Sequence, residues 1–292
     1  MSATGPSFVL LDDRVVPVEQ ASISPFDRGF LFGDGVYEMV RTFDRRPVAM
    51  DAHVHRLSRS LRETGIRGFD ADRYREIVPL LLDAEGLVDA GIYLQITRGV
   101  ERPRRHVPGP DLVPTIFGFA IPLPSLRSLG DIESIEVTLE PDDRWMRADL
   151  KSLNILANIM AATRGRESGA DEVILHRDGL VSEGSHSSVV ALVRDTLVVP
   201  SPTAAPCVLP GTMATLVIEA ADRLGLPVQQ RSLRVDELRN AAEIGIASTR
   251  RLLHQVSRLD GRSPSGGPWM ARLFASMLDS LAGPADPAPS ST

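Results

Sequence analysis

Lysine occurs once in these 292 residues, as Lys151 in the stretch RADLKSLNILAN (147–158); the other 31 of the 32 lysine-plus-arginine positions are arginine. Arginine serves surface charge at least as well, so the lone lysine is informative only for its chemistry. A guanidinium stays protonated, whereas an ammonium gives up its proton when buried or set beside another cation. The neutral amine then adds to a carbonyl to form a Schiff base. A lysine left by chance at an exposed site, in a chain biased toward arginine, is the plainer alternative. The count alone leaves both open.

Other groups bear on the choice. Glu183 lies in VSEGSHSS, beside Gly184 and a run of small hydroxyl residues that leaves room for a flat ligand; an exposed loop glutamate is the competing reading. LPGTMATLVIEAA sets Pro210 and Gly211 just ahead of a helix, with Thr212, Met213 and Thr215 in its first turn. A helix N-terminus offers free N–H groups and a positive dipole end, which suit phosphate. ASTRR (247–251) is a second donor-rich stretch, with Ser248, Thr249, Arg250 and Arg251. Simple capping would account for either. Arg56 sits in mid-helix in HVHRLSRSL, where a solvated face is the alternative to phosphate binding. His53 and His55, two apart on that helix, point to different faces, so no metal site is expected there. PRRH (103–106) clusters Arg104, Arg105 and His106 in a loop, and arginine binds carboxylates bidentately. The set comprises an amine, a carboxylate, phosphate-binding helix ends and a carboxylate trap. That is the equipment needed to hold pyridoxal phosphate and an amino acid, since a pyridine nitrogen needs an acidic partner to make its ring an electron sink.

The elements that must position these groups are mixed α and β. FVLLDDRVVPV reads as a hairpin, GVYEMVRTF (35–43) as a strand, and MDAHVHRLSRSLRETGI as a helix opened by an Asp cap. DADRYREIVPLLLDAEGL is a second helix with Pro79 a candidate kink, and GIYLQITRGV and VPTIFGFAIPLP are strands. Beyond a Pro- and Ser-bearing stretch, SIEVTLE is a strand and a helix begins near Leu153. DEVILHRDGLVSEG is a hairpin closed by Asp178-Gly179. GTMATLVIEAADRLGL is an amphipathic helix, EIGIAST a short buried strand and PWMARLFASMLDSL the last helix. The expected class is α+β, in two domains: residues 1–122, a linker at 123–128, and 129–282, followed by a disordered tail at 283–292.

A net charge of −6 with no basic block gives no reason to expect nucleic acid. Cys207 is the one cysteine, so no intrachain disulfide is possible, which fits a reducing cytoplasm. No secretory leader pattern and no apolar run of membrane-spanning length is evident.

DRGFLFGDGVYEMVR, HVHRL, YLQITRG, RWMRADLKSLN, ADEVILHRDGLVSEGSHSS and LPGT occur in this order and spacing, and KSLN is followed about thirty residues on by EGS. On these motifs the chain, from about residue 8 to about 280, resembles the fold-type IV, pyridoxal-phosphate-dependent aminotransferases (class IV aminotransferase family). Within them it is most similar to the D-amino-acid transaminases. The resemblance implies two α+β domains with the cofactor between them. It implies that Lys151 holds the cofactor as a Schiff base and shuttles the substrate proton, that Glu183 pairs with the pyridine nitrogen, and that Arg56 binds the phosphate. Gly211, Thr212, Met213, Ser248 and Thr249 fall at cofactor-binding positions. Tyr37, Arg104 and His106 match the substrate-carboxylate positions of D-specific members. In the family the loop bearing the last two reaches in from the neighbouring subunit, so a homodimer is expected.

Three departures stand out. Met213 occupies the position where the family usually has a threonine, so Thr212, Thr215 or backbone alone must face the phosphate. Arg250 and Arg251 follow Ser248-Thr249 where D-specific relatives tend to have small hydroxyl residues, and Arg250 is a candidate for binding a substrate carboxylate. His186 and Ser188 replace the frequent Ser and Asn. The activity implied is ping-pong transfer of an amino group from a D-amino acid to a 2-oxo acid. The alternatives on the same fold are a branched-chain L-amino-acid transaminase, an (R)-selective amine transaminase and aminodeoxychorismate lyase.

Overall fold

The computed structural model describes residues 5–282. The tail expected at 283–292 lies outside the described residues. In the first half, β1 (Phe8–Leu11), β2 (Arg14–Pro17), a short α1 (Arg28–Phe32), β3 (Gly35–Phe43), β4 (Arg46–Pro47), α2 (Met50–Thr64), α3 (Arg73–Glu85), β5 (Ala90–Thr97) and β6 (Ile116–Pro122) follow in order. The six strands form one antiparallel sheet, β2-β1-β6-β5-β3-β4. One face of the sheet is covered by α2 and α3, with Val36 and Val40 of β3, Leu57 and Leu61 of α2, and Tyr74, Leu81 and Leu82 of α3 in one core. Pro79 lies inside α3 and does not end it.

The second half runs β7 (Ser134–Pro141), α4 (Leu156–Glu167), β8 (Glu172–Arg177), β9 (Leu180–Gly184), β10 (Ser188–Val193), β11 (Thr196–Val199), α5 (Thr212–Arg223), β12 (Val228–Gln230), β13 (Leu233–Arg234), α6 (Val235–Arg239), β14 (Glu243–Ser248), β15 (Leu252–Leu259) and α7 (Trp269–Ala282). Its nine strands order as β12-β11-β10-β14-β15-β7-β8-β9-β13, with parallel pairs at β7/β8, β7/β15 and β11/β12. The β8–β9 hairpin closes through Asp178 (φ 52°) and Gly179 (φ 76°), both left-handed, as a tight two-residue hairpin requires. α5 and α7 pack together over β10, β14 and β15, and Phe43 and Val48 from the first half enter that same core.

Two local expectations change. No Asp side chain caps α2: its N-cap is Ala49 at φ 50°, and Asp51 lies inside the first turn. The helix expected from Leu153 begins at Leu156 instead. Residues 151–153 are drawn straight by β3: Tyr37 N–H donates to the Lys151 carbonyl and Leu153 N–H to the Gly35 carbonyl, each at 3.0 Å. Val36 and Ser152 form an antiparallel bridge between those bonds. The bridge keeps residues 151–153 extended, and the helix begins only beyond it.

Candidate active site

That strand-edge pairing sets the lysine. It lays the Lys151 and Tyr37 side chains next to each other, with Nζ 4.3 Å from the centroid of the Tyr37 ring. The face of a phenol attracts an ammonium. Tyr37 is backed in turn by Tyr93 at 5.6 Å, and Tyr93 by a stacked Phe119 at 4.9 Å. The loop leading to Lys151 is pinned at Asp149, whose carboxylate accepts from Arg59 and Arg147. Burial pushes the Asp149 carboxyl up, but those two guanidinium groups outweigh it and hold it at about 2.

Glu183, on β9, is buried. Arg144 Nη1 donates to its Oε1 at 2.5 Å and the Leu209 N–H to its Oε2 at 3.2 Å. Burial raises the carboxyl above its ordinary value, and Arg144 pulls the other way. Asp142 holds Arg144 from behind, at 2.9 Å on Nε and 3.0 Å on Nη2. The turn after Glu183 hangs on Glu172, which accepts from the Ser185 hydroxyl at 2.6 Å and the Ser187 hydroxyl at 2.9 Å.

Arg56 projects from α2 toward the same space. Its Nε and Nη2 donate to the two oxygens of Glu38 at 2.7 and 2.8 Å, and Nη1 to the Pro210 carbonyl at 2.9 Å. A guanidinium has five N–H groups, so one remains on each terminal nitrogen. His53, one turn before Arg56, bonds Glu38 through Nδ1 at 2.7 Å. Burial alone would raise Glu38, but Arg56 and His53 hold it far below the usual carboxylate range.

α5 starts at Thr212 with Gly211 as its N-cap and no side chain satisfying the first turn. A Cβ on Gly211 would fall 2.1 Å from the Ser188 hydroxyl, so a side chain there requires that hydroxyl to turn away. Thr215 turns away: its hydroxyl bonds the Gly211 carbonyl at 3.3 Å and does not line this space. The Ser248 hydroxyl is buried without a partner.

Tyr37, Arg56, Lys151, Glu183, Gly211, Thr212, Met213, Ser248 and Thr249 all line one cleft of about 750 Å³. Arg250 lies in an adjoining opening of about 1820 Å³ that shares Tyr37, Lys151, Ser248 and Thr249. Arg104 and His106 line neither. They sit over Phe32, with the Arg104 guanidinium 4.3 Å and the His106 ring 5.8 Å from its centroid. Glu38 and Arg144 were not singled out in the sequence, and Ser188 was named only as a departure from the family pattern. For Glu38 a signal existed, a carboxylate inside an otherwise apolar strand; Arg144, in the irregular stretch PDDRWM, carried none.

A profile of the family described as "Amino-transferase class IV" matches residues 35–259. A D-alanine aminotransferase of Bacillus licheniformis is 33% identical over 262 residues, covering 89% of this chain and 90% of the relative. The chain belongs to the class IV aminotransferases. Among solved structures, a branched-chain aminotransferase of Thermoproteus uzoniensis superposes with a TM-score of 0.86 at 24% identity, covering 97% of each chain. A hypothetical aminotransferase of Mycobacterium tuberculosis in a PLP-bound form gives 0.80 at 25% identity, covering 94% and 98%. The cofactor of this aminotransferase is pyridoxal phosphate. The cleft fits it: one amine, a buried carboxylate, an arginine with spare donors, an unsatisfied helix N-terminus behind a glycine cradle and a buried hydroxyl without a partner.

Proposed function

We propose that this aminotransferase moves the amino group of a D-amino acid, of the D-alanine or D-glutamate type, to a 2-oxo acid in two half-reactions. The observation that carries this reading is the 33% identity, over 89% of the chain, to a D-alanine aminotransferase. The site supports it in detail. When bound, pyridoxal phosphate supplies the electron sink that makes the substrate α-hydrogen acidic. Lys151 is the residue that forms the covalent attachment and afterwards takes and returns the proton at the substrate α-carbon. Its amine lies beside Tyr37 on the β3 side of the cleft, and it would exchange the proton from there. Glu183, charge-compensated by Arg144, receives the ring nitrogen. The two spare N–H groups of Arg56, the first turn of α5 with the Thr212 hydroxyl, and Ser248 and Thr249 hold the phosphate.

The substrate carboxylate is taken by Tyr37 together with Arg104 and His106, the latter two supplied across a homodimer. Their absence from their own cleft supports this, as does the exposed apolar surface on and near that loop: Phe30 is 75%, Val107 80% and Val113 79% exposed. A cytoplasmic setting is part of the same reading. No helix of the described residues is long and apolar enough to cross a membrane.

The test is the visible spectrum of the holoenzyme in single half-reactions without oxo acid, offered D-alanine, L-leucine or (R)-1-phenylethylamine. The cofactor band is expected to convert fastest with D-alanine. Faster conversion by L-leucine or by the amine would overturn the D-specific reading, and release of pyruvate from aminodeoxychorismate over many turnovers, with no oxo acid and no conversion of the cofactor band, would assign a lyase.

A further inference from the structure

Residues 102–107 are exposed, and among the described residues the stretch 102–108 makes no backbone–backbone hydrogen bond. Loops of that kind are more mobile than the elements they join. This one carries Arg104 and His106, and it is held from α1. Arg28, the first residue of α1, is 4% exposed. Its Nη1 donates to the Arg105 carbonyl at 2.6 Å and its Nη2 to the His106 carbonyl at 2.9 Å. The same guanidinium is fixed by two acids: Nε donates to Asp34 at 2.8 Å and Nη1 to Glu101 at 2.7 Å. Four of its five N–H groups are thus in use. Glu101, buried at the foot of the loop, also accepts from the Gly109 N–H at 2.9 Å and so ties down the far end.

α1 is itself firmly seated. Asp27 accepts from the Gly29 N–H at 2.7 Å, from the Thr97 hydroxyl at 2.9 Å and from the Thr115 hydroxyl at 2.7 Å. Asp34 is shared with Arg98, whose Nε and Nη2 donate to it at 2.8 and 2.9 Å. Phe32, one turn after Arg28, supports the loop's side chains. The Arg28 guanidinium lies 4.9 Å, the Arg104 guanidinium 4.3 Å and the His106 ring 5.8 Å from its centroid. A guanidinium over an aromatic ring is attracted to it. The backbone is therefore gripped at Arg105 and His106, and the side chains of Arg104 and His106 rest on one ring. Their placement is set within the protomer, before a partner subunit arrives.

We infer that Arg28 is a positioning residue for the substrate-carboxylate trap, acting through Arg104 and His106 without touching substrate. The inference rests on the proposed reading in which those two residues bind the carboxylate across a homodimer. Lysine cannot take the place of Arg28: an ammonium keeps the charge beside Asp34 and Glu101 but lacks the planar fork that reaches two carboxylates and two carbonyls at once.

The experiment uses the holoenzyme as wild type, Arg28→Lys, the trap variant Arg104→Ala/His106→Ala, and the triple variant. The half-reaction with D-alanine is followed at the cofactor band for its maximal rate and half-saturating concentration. Propionate, a carboxylate without an amine, is titrated against the same band. Arg28→Lys is expected to raise the half-saturating concentration of D-alanine and the Kd of propionate roughly tenfold, as for a lost hydrogen bond to a charged group. Maximal rate and cofactor retention should hold. Added to the trap variant, Arg28→Lys should change neither constant further, because residues that act through one another are not additive. A full additional loss in the triple variant would show Arg28 to serve the fold alone and overturn the inference. So would wild-type propionate affinity in Arg28→Lys beside an impaired trap variant. A trap variant that binds both ligands as well as the wild type would overturn the trap reading itself, and the inference with it. If D-alanine does not react, the propionate constants alone decide.

Discussion

Arg144 and Glu183 show how much of the site is a balance between two charges. Glu183 is legible in the sequence because EGS follows KSLN at a telling spacing, but its state depends on Arg144, which no motif announces. Removing the guanidinium leaves a buried carboxylate uncompensated, whereas removing both charges does not. Arg144→Leu is therefore expected to cost about 3–5 kcal/mol, and Arg144→Leu/Glu183→Gln distinctly less, measured by chemical denaturation. Asp142 keeps Arg177 at 3.4 Å, so the rescue reports on Glu183. Equal losses in the single and double variants would show that packing, not charge, is what Arg144 supplies. The same physics explains why Glu38 was missed: a carboxylate in a strand is read as surface until the arginine and histidine that bury it are placed by the fold.

At the scale of elements, the helices and hairpins came through in the sequence because their signals are local. Asp178-Gly179 closes its hairpin where expected, and the α5 start at Gly211-Thr212 is set by the residues themselves. The helix start expected near Leu153 falls three residues early because β3, more than a hundred residues away, holds residues 151–153 extended. Non-local pairing leaves no periodicity to detect. Gly211 carries the clearest element-scale expectation. A methyl there meets the Ser188 hydroxyl at the mouth of α5, which must turn away from its present place to make room. Gly211→Ala should release cofactor more readily on dialysis, and Gly211→Ala/Ser188→Ala should regain much of the retention. Unchanged retention in the single variant would mean that the helix end is not the phosphate seat.

For the whole molecule, ion pairs within each half, Arg56 with Glu38 and Arg144 with Asp142 and Glu183, and the Arg59–Asp149 pair between α2 and the loop before Lys151, set its response to acid. Glu38 and Asp149 have folded-state pKa values below their ordinary 4.5 and 3.8, Asp149 reaching about 2; Asp34 and Asp142 are lowered too. A depressed carboxyl contributes stability above its ordinary value and loses it as pH falls toward the folded value. Glu183 acts oppositely, since its raised pKa favours the fold as it protonates. Glu237 is lowered as well, and burial lowers His53 and His254, whose contribution is lost as pH falls below their ordinary 6.5; Tm should therefore decline from about pH 6.5 and fall more steeply below about 4.5. A Tm flat down to pH 3 would show that these pairs do not couple to folding. The two-sheet plan itself was foreseeable from the order of elements. The edge strands β12 and β13 and the short helices α1 and α6 were not, because segments of two to five residues carry too little pattern.

The central claim is that the one lysine of the chain carries the cofactor. It is tested by loading the purified protein with pyridoxal phosphate, reducing with borohydride, digesting and mapping the label by mass spectrometry. A phosphopyridoxyl group on the peptide containing Lys151, absent in Lys151→Ala, is the expected result. A protein that takes up no label at Lys151, or that keeps the same label in the variant, would contradict it.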